Sequence, residues 1–188
     1  MMIFAIDPGN EYSAYVLLNN DLSVIEKGKV LNHELIEVIN RLFYLEAKEG
    51  YLSSNIEHVA IEMIASYGMA VGKTVFDTCV WIGRFYQAIY EQSNIKPTFI
   101  YRKDEKMLIC GNMKAKDSNI RQALIDRFAK HDFKNGKGTK KNPDWFYGFK
   151  ADVWAAYAVA VTYHDLRESD ESEQYKSNSS IKKTISMG

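Results

Sequence analysis

The stretch Met2-Ile3-Phe4-Ala5-Ile6-Asp7-Pro8-Gly9-Asn10 sets an acid directly after an apolar run and directly before Pro-Gly. A short continuous apolar run is the mark of a buried strand, and Pro-Gly ends it. A strand is therefore predicted over residues 3–6, with Asp7 at its C-terminal end. Residues 12–18 and 22–30 repeat the strand pattern on either side of the turn cluster Asn19-Asn20-Asp21. Short strands joined by tight turns predict an antiparallel meander.

Leu35, Ile36, Ile39, Leu42, Phe43 and Leu45 then recur at helical spacing, which predicts a helix opening at Asn32 or His33. Residues 50–55 read as a loop. Residues 58–63 read as a buried strand interrupted by Glu62. A long helix over 71–90, a short strand over 97–101 and a helix over 117–129 follow. The segment KNGKGTKKNP, residues 134–143, reads as a mobile loop. Residues 151–166 are almost wholly apolar and predict a last, buried helix. Strands alternating with helices after a meander give an α/β fold, a mixed sheet covered by helices. One domain is expected over 1–166, followed by a polar, serine-rich, disordered tail over 167–188.

The chain has 188 residues, 46% hydrophobic and 26% charged, which suits one globular core. No run approaches the roughly 18 apolar residues of a membrane span, and the N-terminus lacks the pattern of a signal peptide. Cys79 and Cys110 form no CxxC or Cys/His cluster, so no zinc site is expected and a reducing cytoplasm suits them. The net charge is zero but unevenly spread: residues 1–95 carry 6 basic and 12 acidic side chains, residues 96–150 carry 14 and 6, and residues 151–188 carry 4 and 6. The basic middle segment can present a positive face to phosphate, or be a solvated lysine-rich loop.

Asp7, Glu62 and Asp152 sit where acids are costly: at the end of one apolar strand, inside another, and at the start of an apolar helix. Each has a plain structural explanation as well. Asp7 can cap its turn, and Asp152 can sit at a helix N-terminus favoured by the dipole. In a mixed sheet the ends of neighbouring strands meet, and a helix crossing that edge can add a third acid. Three converging carboxylates repel one another, and a hard divalent cation removes the repulsion. Two such ions roughly 4 Å apart activate water and stabilise the leaving oxygen of a phosphodiester.

Residues 2–10 resemble the first-strand motif of RuvC-type Holliday-junction resolvases, an apolar run followed by Asp-Pro-Gly-Ser/Asn. Val59-Ala60-Ile61-Glu62 resembles their second motif. Ala151-Asp152, followed by the alanine-rich run from Ala155 to Tyr163, resembles their final helix, and Lys116-Asp117-Ser118-Asn119-Ile120 resembles their lysine/serine segment. The resemblance covers about residues 2–166 and looks nearest to divergent resolvases carried by phages of Gram-positive hosts. It implies a ribonuclease H-like fold with helices on both faces of a five-stranded sheet. It also implies symmetric nicking of four-way or branched DNA by a homodimer using Mg²⁺ or Mn²⁺. Asp7, Glu62 and Asp152 match metal-ligand positions, and Lys116 would neutralise charge near the scissile phosphate. The chain departs from the pattern at Ala155, where the family has a fourth acid; Asp117 or Asp144 could substitute. Ala14 and Val16 replace glycines. Tyr67 stands near the position of a junction-contacting aromatic, and can stack on an opened base or be an ordinary loop tyrosine.

Lys114 and Lys116, just before a helix N-terminus, and Lys137, Lys140 and Lys141 in the 134–143 segment are the candidate phosphate contacts. The 71–90 helix carries Trp81, Phe85 and Tyr86 beside Gly83, more apolar surface than one face requires, and is the expected homodimer contact. Alternatives remain open: a ribonuclease H cutting RNA–DNA hybrid, or a junction-binding protein with weakened catalysis. Actin-like ATPases and sugar kinases share the opening strand and turn, but need a second domain for which 188 residues leave no room.

Overall fold

The computed structural model of the chain describes residues 2–49, 56–66, 68 and 70–185. In chain order its elements are β1 (Met2–Asp7), β2 (Tyr12–Asn19), β3 (Val24–Leu31), α1 (Asn32–Glu49), β4 (Ile56–Met63), α2 (Lys73–Ser93), β5 (Thr98–Tyr101), α3 (Arg102–Cys110), α4 (Asp117–Phe128) and α5 (Ala151–Ile185). The five-stranded sheet has the order β3-β2-β1-β4-β5. The meander β1-β2-β3 is antiparallel, and β4 and β5 run parallel to β1.

Side chains alternate across a strand, and β1 uses the alternation to build two cores. Phe4 and Ile6 join Leu35, Ile39 and Phe43 of α1 and Ile82, Phe85 and Ile89 of α2. Ile3 and Ala5 join Leu124 of α4 and the buried run from Val153 to Val161 of α5. β4 repeats the pattern, with Val59 and Ile61 on the α1–α2 side and Ala60 on the α5 side. Ala5 and Ala60 are fully buried, as are Ala156, Ala158 and Ala160 of α5. Small residues on both surfaces let this helix lie close to the sheet. A helix apolar on all sides must be covered on all sides. The outer cover of α5 is an aromatic cluster of Phe128, Trp145, Phe146 and Phe149 around Tyr157.

Four expectations from the sequence are corrected. First, α3 follows β5 without a break, where no element was expected. Second, the lysine-rich stretch is a hydrogen-bonded turn rather than a mobile loop. The buried Asp144 carboxylate accepts the backbone N–H groups of Lys130 (2.8 Å), His131 (2.9 Å), Asp132 (2.6 Å) and Trp145 (2.7 Å). Asp132 in turn accepts those of Lys137 and Gly138. Third, α5 does not stop at residue 166. The sequence from Ala151 to Ile185 contains neither Gly nor Pro, Arg127 makes paired hydrogen bonds to Asp165 (2.6 and 2.9 Å), and Arg167 bonds Glu171 one turn on. Fourth, Phe85 is fully buried in its own domain, so it is not a contact for a second copy. The outer face of α2 instead shows Phe76, Val80 and Gly83. The expected loop over 50–55 lies outside the described residues. Among the described residues no helix is long and apolar enough to cross a membrane.

Burial alone would raise the Asp144 carboxyl, but the backbone donors outweigh it and hold the group well below the ordinary carboxylate range. Asp144→Ala strands these donors and is expected to cost about 2–4 kcal/mol of unfolding free energy at neutral pH. A depressed carboxylate stabilises the fold above its unfolded value and stops doing so as the pH falls through its folded one. The gap between wild type and variant in chemical denaturation therefore narrows below about pH 4.

Candidate active site

The parallel register pairs Ala5 with Ala60 and Ile6 with Ile61. Asp7 and Glu62 come next, side by side at the C-terminal ends of adjacent strands. Each stands two residues beyond its alanine and so emerges on the α5 side of the sheet. This edge is where open α/β sheets bind ligands. Asp152, in the first turn of α5, reaches the same place. All three acids line one cavity of about 580 Å³. Arg102 of α3, Asp117, Ser118 and Arg121 of α4, and Trp154 and Ala155 of α5 complete its polar and apolar walls.

Burial and a hydrogen bond shared with Glu62 push the Asp7 carboxyl up to about 9, with the charges of Glu62, Asp152 and Glu105 adding to the effect. Neighbouring carboxylates that are partly withdrawn from water do not both ionise cheaply. Glu105 was missed by the sequence reading. Its side chain is fully inaccessible, and burial and the charge of Glu62 push it up to about 8 against the pull of Arg102. One oxygen of Glu105 takes Arg102; the other, Oε1, has no hydrogen-bond partner. Arg102 spans Glu105 and Asp117. Asp152 forms an ion pair with Lys29 of β3.

The site is thus an acidic centre held between two cations. Among the described residues no three acidic, histidine or cysteine side chains stand close enough together to hold a metal ion. The donor chemistry nevertheless suits a hard divalent cation: Asp7, Glu62 and Asp152 offer only carboxylate oxygens, and the neighbouring acids raise the Asp7 carboxyl further than burial alone.

The other residues singled out in the sequence fall elsewhere. Lys116 is the N-cap of α4, its N–H donating to Asn119 Oδ1 at 2.9 Å. It is exposed, and adjoins Asp117 and Ser118 of the cavity wall without lining the cavity itself. Lys114 is exposed as well, and Lys137, Lys140 and Lys141 sit on the turn ordered by Asp132 and Asp144; none of them lines the cavity. Asp144 is committed to that turn, which removes it as a substitute fourth acid, whereas Asp117 does reach the cavity. Tyr67 lies outside the described residues. One signal could have exposed Glu105: β5 runs parallel to β4, so whatever follows its C-terminal end arrives at the same sheet edge as Glu62.

Neither a known protein family nor a curated protein matches the chain by sequence. Solved structures do match in three dimensions. RuvC from Thermus thermophilus superposes with a TM-score of 0.61 over 90% of this chain and 97% of its own, at 15% identity. The structure of T. thermophilus RuvC in complex with Holliday junction substrate gives 0.60 over 89% and 95%, at 12% identity. The fold is therefore RuvC-type and ribonuclease H-like.

A carboxyl raised in the folded state stabilises most below its unfolded value, near 3.9, and loses that contribution as the pH climbs toward its folded value. In chelator, wild type should lose stability between about pH 4 and about pH 9 through Asp7. Asp7→Asn removes this loss, so its melting temperature should gain on wild type as the pH rises. Parallel melting curves at acid and alkaline pH would count against the assignment.

Proposed function

We propose that this protein is a metal-dependent endonuclease that nicks four-way or otherwise branched DNA. The observation that carries the reading is the meeting of Asp7, Glu62 and Asp152 in one cavity at the C-terminal edge of a RuvC-type sheet. A protein of that fold has been solved with a Holliday junction substrate.

Asp7, Glu62 and Asp152 would hold Mg²⁺ or Mn²⁺, two ions per site. Bound there, the ions supply a nucleophilic water at neutral pH and neutralise charge on the phosphodiester. The protein's own groups do the rest. The sheet edge holds Asp7 and Glu62 side by side and half-buried, where electrostatic effects are stronger than in open water. Arg102, anchored by Glu105 and Asp117, presents a fixed positive charge in the cavity. Lys116 at the α4 N-terminus and Lys114, Lys137, Lys140 and Lys141 on the surface beyond supply phosphate contacts, and Tyr67 a stacking contact to an opened base. The unpaired thiols of Cys79 and Cys110 suit a cytoplasmic site of action.

A second reading has its own support. Ala155 in the cavity wall and the Lys29 ion pair on Asp152 both weaken the ligand set, which suits a junction-binding protein of reduced activity. A labelled four-way junction separates the readings, with linear duplex and RNA–DNA hybrid as controls, in Mg²⁺, Mn²⁺ and chelator. Metal-dependent paired nicks in the junction are expected. Binding without cleavage in either metal moves the protein to the second reading, and cleavage of hybrid alone makes it a ribonuclease H. Glu62→Gln should abolish nicking and leave junction binding intact; nicking at the wild-type rate would remove Glu62 from the site.

Paired nicking calls for two active sites, and the outer face of α2 suits a symmetric contact. Phe76 is 59% exposed and Val80, one turn on, 62%. Gly83 follows on the same stripe, with open space around it. Val80→Glu is expected to shift the protein from dimer to monomer in sedimentation. A wild type that already sediments as a monomer would rule this contact out.

A further inference from the structure

A second cavity, of about 630 Å³, adjoins the acidic one, and the two share Ala151 and Asp152. One wall is Lys27, Gly28 and Lys29 of β3; the other is Tyr147, Gly148 and Lys150 from the segment entering α5. Lysines on an edge strand often only guard it against pairing with another sheet. These two do something else. Lys27 and Lys29 are two apart and leave the same face of β3. Gly28 between them serves the other face, where a Cβ would come within 2.8 Å of the Tyr15 ring. The lysine face is the one that meets α5: Lys29 pairs with Asp152, and Lys27 Nζ lies 5.3 Å from the centre of the Phe149 ring. Gly148, at φ +77°, makes a left-handed turn natural to glycine. Tyr147, 43% exposed, and Lys150 flank it and line the same cavity.

Three lysines, two from β3 and one from the segment before α5, thus line one trough, in which Asp152 is the only acid among the described residues. The trough continues the acidic cavity rather than standing apart from it. A ligand that passes from the acidic cavity, once the proposed metal ions neutralise it, into the lysine trough must carry negative charge along its length, which a polymer of phosphodiesters does and a small anion does not. We propose that the trough holds the phosphate backbone of the DNA strand being cut as it leaves the acidic cavity. Lys27, Lys29 and Lys150 contact successive phosphates, and Tyr147 packs against the adjoining sugar or base. The inference rests on the nuclease reading and adds to it the path of the strand.

The test is junction binding by fluorescence anisotropy, in chelator, over a series of KCl concentrations. It compares wild type with Lys27→Ala/Lys150→Ala and Lys27→Arg/Lys150→Arg. Lys29 is left in place because of its bond to Asp152. Each lost phosphate contact removes about 0.9 from the slope of log affinity against log salt. The alanine pair is therefore expected to bind more weakly and to lose roughly 1.8 of slope, while the arginine pair keeps the wild-type slope. Wild-type slope and affinity in the alanine pair overturn the trough and leave the nuclease reading standing. An arginine pair as impaired as the alanine pair also overturns it, because the effect is then not one of charge. A wild type that binds no DNA overturns both.

Discussion

Asp7 and Glu62 stand side by side, half-buried, on the α5 side of the sheet at the ends of adjacent parallel strands. Their closeness follows from the register of β1 on β4 and from nothing more local. Moving either strand by one residue would turn its carboxylate to the opposite face. The alanines beneath them, Ala5 and Ala60, keep that face shallow enough for α5 to cross it. The surrounding charges are arranged around the crowded pair: Arg102 on one flank, backed by Glu105 and Asp117, and Lys29 on the other, bound to Asp152. Burial makes the pair costly, and the packed strands hold it in spite of that cost.

The position of Asp152 depends on a longer chain of contacts. It sits in the first turn of α5, and that helix is clamped between Tyr157 and Asp165. Tyr157 donates to the Leu22 carbonyl at 3.0 Å and accepts from Trp145 at 2.8 Å. Asp165 takes Arg127, and Tyr163 pairs with His58 of β4. The turn ordered by Asp132 and Asp144 carries Trp145, Phe146 and Phe149 onto the same helix. On the proposed function Asp152 would be a metal ligand, which must be held to within a fraction of an ångström to be useful, and these contacts stiffen the helix that bears it.

Much of this was legible in the sequence because burial of an acid leaves a mark there. Asp7 ends an apolar run, Glu62 interrupts one and Asp152 opens one, and the period-two pattern of β1 and β4 needs no partner to be seen. Glu105 left no such mark. It stands in Arg102-Lys103-Asp104-Glu105-Lys106, a polar stretch without apolar periodicity, and is buried only because β5 delivers it to the sheet edge. The 134–143 segment misled in the opposite sense. Its glycines and lysines look loose, and what orders them is a pair of aspartates outside the segment, Asp132 and Asp144. α5 runs on past residue 166, where the apolar pattern ends, because a helix can continue through polar sequence when charged side chains such as Arg167 and Glu171 pair one turn apart.

The ion pair between Lys29 and Asp152 sets an internal cation against the carboxylate that the proposed metal would use. On the proposed function one ammonium group would serve two masters: it neutralises the Asp152 carboxylate, and it would be free to turn toward phosphate wherever a metal ion took that carboxylate. Loading of metal and capture of the strand then favour each other, and the favour is equal in both directions by thermodynamic linkage. The catalytic centre would thus be assembled most completely in the presence of both, and a solitary ion or a solitary strand would each meet the resistance of the same lysine.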